Sequence, residues 1–117
     1  MGKLTTHVLD TANGCPAVGM RVALYRLVDD QPVFLREAVT NHDGRVDAPL
    51  VEGDELVAGV YRLAFEAGEY FERKGLSLPE PRFVGRVVLD FGVADPAQHY
   101  HVPLLVGPCN WSTYRGS

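Results

Sequence analysis

The sequence has few cysteines, no long apolar run and no cluster of basic residues. Cys15 and Cys109 are too few and too far apart for a metal knuckle or a disulfide framework, so we expect free thiols. No apolar run is long enough to cross a membrane, and residues 1–9 lack the apolar segment of a signal peptide. We therefore expect a soluble, cytoplasmic protein with no membrane partner.

Positive charge is also scarce. The chain has 11 Lys and Arg against 15 Asp and Glu, a formal net charge of -4 at pH 7. Nucleic-acid affinity comes largely from clustered Lys and Arg, which this sequence does not have. A phosphate-cradling glycine loop, a dinucleotide fingerprint and a Gly-x-Ser-x-Gly nucleophile elbow are missing as well. We expect no nucleic-acid partner and no cofactor.

What the sequence does contain is a series of short alternating segments between turn signals. With 117 residues and 46% hydrophobic composition, it suits one domain, 1–117, with a real core. Short strands with regularly spaced turns are typical of an all-β antiparallel sandwich. The predicted strands are 4–9, 21–28, 33–40, a short edge strand at 45–49, 60–65, 83–91, 99–106 and 111–115, and the predicted helix is 68–75.

The segment His99-Tyr100-His101 stands out as a source of chemistry. Side chains alternate faces along a strand, so the two imidazoles point to the same side. His7 lies in a strand at the other end of the chain. Imidazoles exchange protons near neutral pH, so a convergent pair is a plausible acid-base unit. Two other interpretations stay open: surface or interface histidines, and a zinc site formed by His7, His99 and His101.

The turn 41–45 resembles a calcium loop only superficially, because the remaining ligand positions are missing. We interpret it as a turn that directs Arg45, whose donor fork suits an anionic or carbonyl-rich planar ligand. A solvated arginine after a turn is the alternative. Cys109 has little support as a nucleophile, since its setting offers no evident base.

The C-terminal segment 111–117 is unusual for a tail. Chain ends tend to fray, whereas this one begins with Trp111, keeps strand character and stops at Ser117. If its end is packed inside, residues added after Ser117 should impair function.

Three separated pieces of the sequence match one family. They are Leu4-Thr5-Thr6-His7-Val8-Leu9-Asp10 with Gly14-Cys15-Pro16-Ala17, then Asp43-Gly44-Arg45, then His99-Tyr100-His101-Val102-Pro103-Leu104-Leu105 with Tyr114-Arg115-Gly116-Ser117. The chain resembles the 5-hydroxyisourate hydrolases, enzyme relatives of transthyretin. The resemblance runs essentially end to end, and the Tyr-Arg-Gly-Ser end is its most specific part.

The resemblance implies a transthyretin-like sandwich of two four-stranded sheets with one short helix. It also implies edge-to-edge dimers that pair into a homotetramer, with the sites in a central channel. The sequence departs from the family pattern at 76–81, which lacks the usual Phe-Phe-Pro, and at 109–111. We expect these changes to affect loop shape and tetramer packing rather than the site.

The resemblance also assigns roles to residues for hydrolysis of 5-hydroxyisourate, a cyclic product of urate oxidation. As a hypothesis, His101 and His7 polarise the attacking water while Arg45 holds the anionic ring. A non-catalytic carrier of a small planar ligand is the alternative. No metal is expected. The implied catalytic residues are His7, Arg45, His101 and Ser117, and the implied substrate contacts are His7, Arg45, His99, Tyr114, Arg115 and Gly116.

Overall fold

The computed structural model describes residues 2–116, which form two β-sheets and one short α-helix. Nine strands lie in that range, two of them only two residues long, and a single 3-10 turn spans Gly53–Glu55. The elements are β1 (Lys3–Asp10), β2 (Cys15–Pro16), β3 (Arg21–Val28), β4 (Gln31–Val39), β5 (Val51–Glu52), β6 (Gly59–Phe65), α1 (Ala67–Arg73), β7 (Val87–Val93), β8 (His99–Val106) and β9 (Trp111–Thr113).

The two sheets confirm the predicted sandwich and refine its strand count. One sheet has the order β4-β3-β6-β7 and is antiparallel throughout. The other has the order β2-β1-β8-β9, and β5 joins it as a fifth strand by pairing with the start of β1. The expected four-stranded second sheet therefore has five strands within residues 2–116. Its central pair, β1 and β8, is parallel.

The predicted edge strand at 45–49 is wrong in position. Arg45 makes only an isolated bridge with His7, and the paired strand is β5. Pro49 has no N–H to donate to a ladder, and pairing with β1 begins directly after it, where the Leu50 N–H donates to the Leu4 carbonyl at 2.9 Å.

The core lies between the sheets and is filled by alternate residues of each strand. On β8 the buried side chains are Tyr100, Val102, Leu104 and Val106. On β1 the alternation buries the even-numbered residues, of which Leu4 and Val8 belong to the apolar core. Because strand side chains alternate faces, the odd-numbered residues of both strands point to the outer face of this sheet.

The helix packs its apolar side against the core and explains where β7 begins. Tyr70 and Phe71 are fully buried, and Gly75 ends the helical segment with a positive φ of 92°. The Gly68 N–H donates to the Gly85 carbonyl at 2.7 Å, so the chain before β7 lies across the helix. The predicted strand 83–91 therefore starts later, at Val87.

Two remaining expectations concern thiols and membrane spans. Cys15 and Cys109 are both free, as expected. Within the described residues, no helix is long and apolar enough to cross a membrane.

The end of β1 is tied to the helix by a buried carboxylate. Asp10 is fully buried and accepts hydrogen bonds from the Tyr70 hydroxyl at 2.7 Å and from the Asn13 backbone and side chain at 2.9 and 2.7 Å. Burial acts to raise the pKa of Asp10, but the hydrogen bonds from Asn13 and Tyr70 outweigh it and lower that pKa overall. The folded chain therefore prefers the carboxylate.

We expect Asp10→Asn to lower the free energy of unfolding at pH 7 by about 1.5 to 3 kcal/mol, the range for hydrogen bonds to a charged group. Because the folded pKa is depressed, the carboxylate stabilises the fold above its unfolded pKa, and this contribution is lost as pH falls through the folded pKa. The difference from the wild type should then shrink in acid. Urea unfolding across pH 2–7 measures it, with the exposed Asp54→Asn as the control. An equal difference at all pH values would contradict the assignment.

Candidate active site

The parallel pairing of β1 with β8 sets the spacing of the candidate site. In this register Lys3 lies beside His99, Thr5 beside His101 and His7 beside Pro103. All six are odd-numbered positions on the outer face of the sheet. The prediction that His99 and His101 share a face is confirmed, and His7 is brought to the same face from the other end of the chain. His101 is half-buried, whereas His99 is exposed.

Arg45 is held against the same face by the turn 41–45. It forms an antiparallel bridge with His7, and the Val8 N–H donates to the Gly44 carbonyl at 2.8 Å. Two residues that are 38 positions apart in the chain are thereby placed side by side.

The sequence of this turn explains its shape. The Asn41 side-chain oxygen accepts hydrogen bonds from the backbone N–H groups of Asp43 and Arg45, at 2.9 and 3.2 Å. Gly44 has a φ of +77°, and a side chain there would collide with the Val8 carbonyl oxygen. The interpretation of this segment as a turn that directs Arg45 is confirmed.

His101 has the most distinctive environment of the histidines. Its Nδ1 lies 2.8 Å from the Thr5 hydroxyl. Burial lowers the pKa of His101, and the positive charges of Arg45, His7 and His99 lower it further. The imidazole is therefore neutral at pH 7 and able to accept a proton.

These residues surround a groove of about 340 Å³ on the outer face. A cavity of this size suits a small heterocycle rather than a polymer. His7 borders the groove through its pairing with Arg45 but does not line it. The lining residues are Lys3, Thr5, Thr6, Arg45, Val46, His99 and His101.

The C-terminal tail reaches His101, a lining residue of the groove, at Gly116. Its N–H donates to the His101 carbonyl at 2.7 Å, in an isolated bridge to that residue. A Cβ atom at Gly116 would lie 2.6 Å from His101 Cδ2. Only glycine allows the tail to lie this close to the imidazole. Ser117, an expected catalytic residue, lies outside the described residues.

Tyr114 and Arg115 are placed elsewhere. The Arg115 guanidinium stacks 4.2 Å over the Tyr100 ring and donates to the Gln98 side chain and the His99 carbonyl, both at 2.9 Å. Both residues line a separate, mostly apolar cavity of about 230 Å³ between β7 and β9. Within one chain, therefore, the structure does not bring these two expected substrate contacts to the groove.

Four lining residues were not predicted as site residues: Lys3, Thr5, Thr6 and Val46. For two of them the signal was present in the sequence, because Lys3 and Thr5 precede His7 at intervals of two on one strand. Alternation alone puts them on the same face as His7. Thr6 and Val46 had no such signal.

The geometry does not favour the zinc interpretation. Across residues 2–116, no group of three or more His, Cys, Asp or Glu is arranged to hold a metal ion. His99 pairs with Lys3, and His7 lies four positions further along β1. At about 3.3 Å per residue, four positions separate the two backbones by roughly 13 Å, whereas zinc–nitrogen bonds are about 2.0 to 2.1 Å long.

The chain matches known proteins over almost its whole length. A model of the HIUase/Transthyretin family matches residues 4–116. The 5-hydroxyisourate hydrolase of Pseudomonas aeruginosa is 52% identical over 117 residues, covering 100% of this chain and 93% of that protein.

Solved structures share the fold. The crystal structure of (S)-allantoin synthase has a TM-score of 0.94 at 48% identity, and the match covers 99% of this chain but 44% of that one. This chain thus spans less than half of that protein. Sea bream transthyretin in complex with thyroxine has a TM-score of 0.87 at 25% identity, covering 97% of this chain and 94% of that one.

We expect Arg45→Gln to raise the pKa of His101, because the substitution removes the largest of the charges that lower it. The value should stay below the usual 6.5, since burial remains and is the main cause. An NMR titration of the His101 imidazole measures the change. Arg36→Gln, on β4 of the other sheet, is the matched control. No shift in Arg45→Gln would show that the guanidinium does not act on His101.

Proposed function

The chain belongs to the HIUase/Transthyretin family, and we propose that it hydrolyses 5-hydroxyisourate in the groove between β1, β8 and Arg45. The reaction opens the cyclic amide and gives 2-oxo-4-hydroxy-4-carboxy-5-ureidoimidazoline, a step of urate degradation. The observation that carries this proposal is the His101 imidazole, whose pKa is lowered, next to a guanidinium and a second imidazole at a groove of heterocycle size. The protein is thus an enzyme of the hydrolase class that acts on a small molecule.

His101 is the proposed general base. Its lowered pKa keeps a nitrogen lone pair available at pH 7, and a positioned base of this kind contributes about 10²- to 10⁴-fold to the rate. His101 takes a proton from water as the water oxygen bonds to the ring carbonyl carbon. The carbonyl electrons move to the oxygen and form a tetrahedral oxyanion.

Arg45 is the proposed electrostatic partner. Its guanidinium holds the anionic ring and stabilises the oxyanion, a role that is often the largest single contribution to catalysis. When the oxyanion collapses and the C–N bond breaks, the leaving nitrogen receives the proton that His101 took from water. The ring opens to a carboxylic acid, and the base returns to its neutral form.

The remaining predicted site residues divide into two groups. His99 lines the groove and Gly116 pairs with His101, so both are proposed substrate contacts. Ser117 follows Gly116 directly and remains a predicted catalytic residue. Tyr114 and Arg115 are not given a role within a single chain, because the Arg115 guanidinium is engaged with Tyr100.

We also propose a homotetramer, as the family resemblance implies. The groove is open on the outer face of its sheet, so an assembly that apposes two such faces would enclose the substrate and exclude bulk water. The cytoplasmic location and the single domain over 1–117 stay predictions.

The carrier alternative has less support. Sea bream transthyretin shares the fold, but at about half the sequence identity of the bacterial hydrolase. A carrier needs no proton acceptor with a lowered pKa beside its ligand, whereas a hydrolase does.

We expect the wild type to accelerate the decay of freshly generated 5-hydroxyisourate, followed by ultraviolet absorbance, and His101→Ala to lose about 10²-fold or more of that activity. His42→Ala is the matched control, because His42 lies in an exposed turn, paired only with Asp43. A wild type without activity would refute the hydrolase and favour the carrier. Full activity in His101→Ala would refute the role of His101 alone.

A second expected outcome concerns the tail. Gly116→Ala should reduce turnover by roughly 10- to 100-fold, because the added methyl group displaces the His101 ring or the tail and misaligns the reacting groups. Gly85→Ala, where the added atom meets open space, should leave the rate unchanged. The same decay assay measures both, and equal activities would contradict the close approach of Gly116 to His101.

A further inference from the structure

The Thr5 hydroxyl is the hydrogen-bond partner of the proposed base. It lies 2.8 Å from His101 Nδ1, on the neighbouring strand at the position directly beside it. We propose that Thr5 is a positioning residue that accepts a hydrogen bond from the Nδ1–H of His101 and so leaves Nε2 free to accept the proton from water. This inference rests on the proposed hydrolase function.

The strand pairing makes this contact rigid. Thr6, the next residue on β1, points to the opposite face and donates its hydroxyl to the Val102 carbonyl at 2.7 Å. The two strands are thus bonded through a side chain directly next to the Thr5–His101 pair. A β-branched residue such as threonine is also stiff at χ1. Little rotation of the Thr5 hydroxyl group away from His101 is therefore expected.

Only one direction of this hydrogen bond leaves a base. A neutral imidazole carries one N–H and one lone pair. If the Thr5 hydroxyl donated to Nδ1, the proton would sit on Nε2, and His101 could not take a proton from water there. If Nδ1–H donates to Thr5, the lone pair is at Nε2. When His101 then becomes protonated, the bond to Thr5 keeps its direction and stabilises the imidazolium.

The positive charges around His101 disfavour its protonated form, which the Thr5 hydroxyl oxygen would stabilise as a hydrogen-bond acceptor. The groups that face it are Lys3 and His7 on β1, Arg45 on the turn and His99 on β8, and each carries or can carry a positive charge. The charges of Arg45, His7 and His99 lower the pKa of His101 and so oppose its protonation. The Thr5 oxygen is the one recorded side-chain hydrogen-bond partner of the His101 ring among residues 2–116. It therefore offsets part of that repulsion when the ring takes up a proton.

Kinetics across pH test the proposal with three variants. Thr5→Val keeps the shape but removes the acceptor, Thr5→Ser keeps the hydroxyl, and Thr11→Val removes a different hydroxyl, which donates to the Val106 carbonyl on β8. For Thr5→Val we expect kcat for 5-hydroxyisourate to fall by roughly 10- to 100-fold with KM little changed. We expect Thr5→Ser to restore most of kcat, and Thr11→Val to match the wild type.

The pH profile separates positioning from a structural role. The rate falls in acid as His101 becomes protonated. Loss of the acceptor destabilises the imidazolium, so the acidic limb of kcat in Thr5→Val should move to lower pH. A variant that merely loosens the fold would lower the rate without moving this limb. Unchanged kcat and an unchanged limb in Thr5→Val would overturn the proposal.

Nitrogen-15 NMR of the histidine side chains tests the same point without substrate. The wild-type protein should show the Nδ1–H tautomer of His101, and Thr5→Val should show a mixture of tautomers. An Nε2–H tautomer in the wild type would overturn the proposal even if Thr5→Val failed to fold. Absence of hydrolysis by the wild type would instead refute the function, while the tautomer measurement would still decide the role of Thr5.

Discussion

The parallel pairing of β1 with β8 is the contact on which the groove depends. It joins strands from the two ends of the chain and sets Thr5 beside His101. Because strand side chains alternate, a slip of one residue would turn His101 to the core and bring Val102 to the outer face. Hydrogen bonds beyond the backbone ladder also stabilise the pairing of β1 with β8. Thr6 donates to the Val102 carbonyl inside the sandwich, and the Thr11 backbone N–H donates to the Val106 carbonyl.

The turn 41–45 places the positively charged Arg45 guanidinium beside the β1–β8 pair, and this charge changes the electrostatics of the groove. Asn41 and Gly44 fix the backbone so that Arg45 meets His7. Burial makes protonation of His101 unfavourable, and the positive charges of Arg45, His7 and His99 act in the same direction. One arrangement thus supplies both an attraction for an anionic ring and a base that is neutral at pH 7. The neutral state of His101 matters, because a protonated His101 would bind the ring but could not activate water.

The sequence allowed the sandwich and much of the groove to be predicted, and the limits have physical causes. Alternation placed His99 and His101 on one face, and the Asn-x-x-Gly pattern indicated the turn before Arg45. Alternation does not record which strands pair, so the parallel contact of β1 with β8 and the short strand β5 were not foreseen. The tail was expected at the site as a unit. Of the described tail residues 114–116, Gly116 reaches His101, whereas Arg115 packs on Tyr100.

Some arginine side chains pair with carboxylates of the chain, whereas the Arg45 side chain does not within the described residues, and this difference affects which of them can bind an anionic substrate. On the β4-β3-β6-β7 sheet, Arg62 forms two hydrogen bonds with Asp90, and at the end of that sheet Arg86 bonds Glu66. These exposed pairs contribute little to stability, but they neutralise the cations involved. For Arg45 the recorded contacts within residues 2–116 are made by its backbone, to Asn41 and His7. Its side chain therefore remains available to an anionic ligand, next to the one imidazole whose pKa the structure clearly lowers.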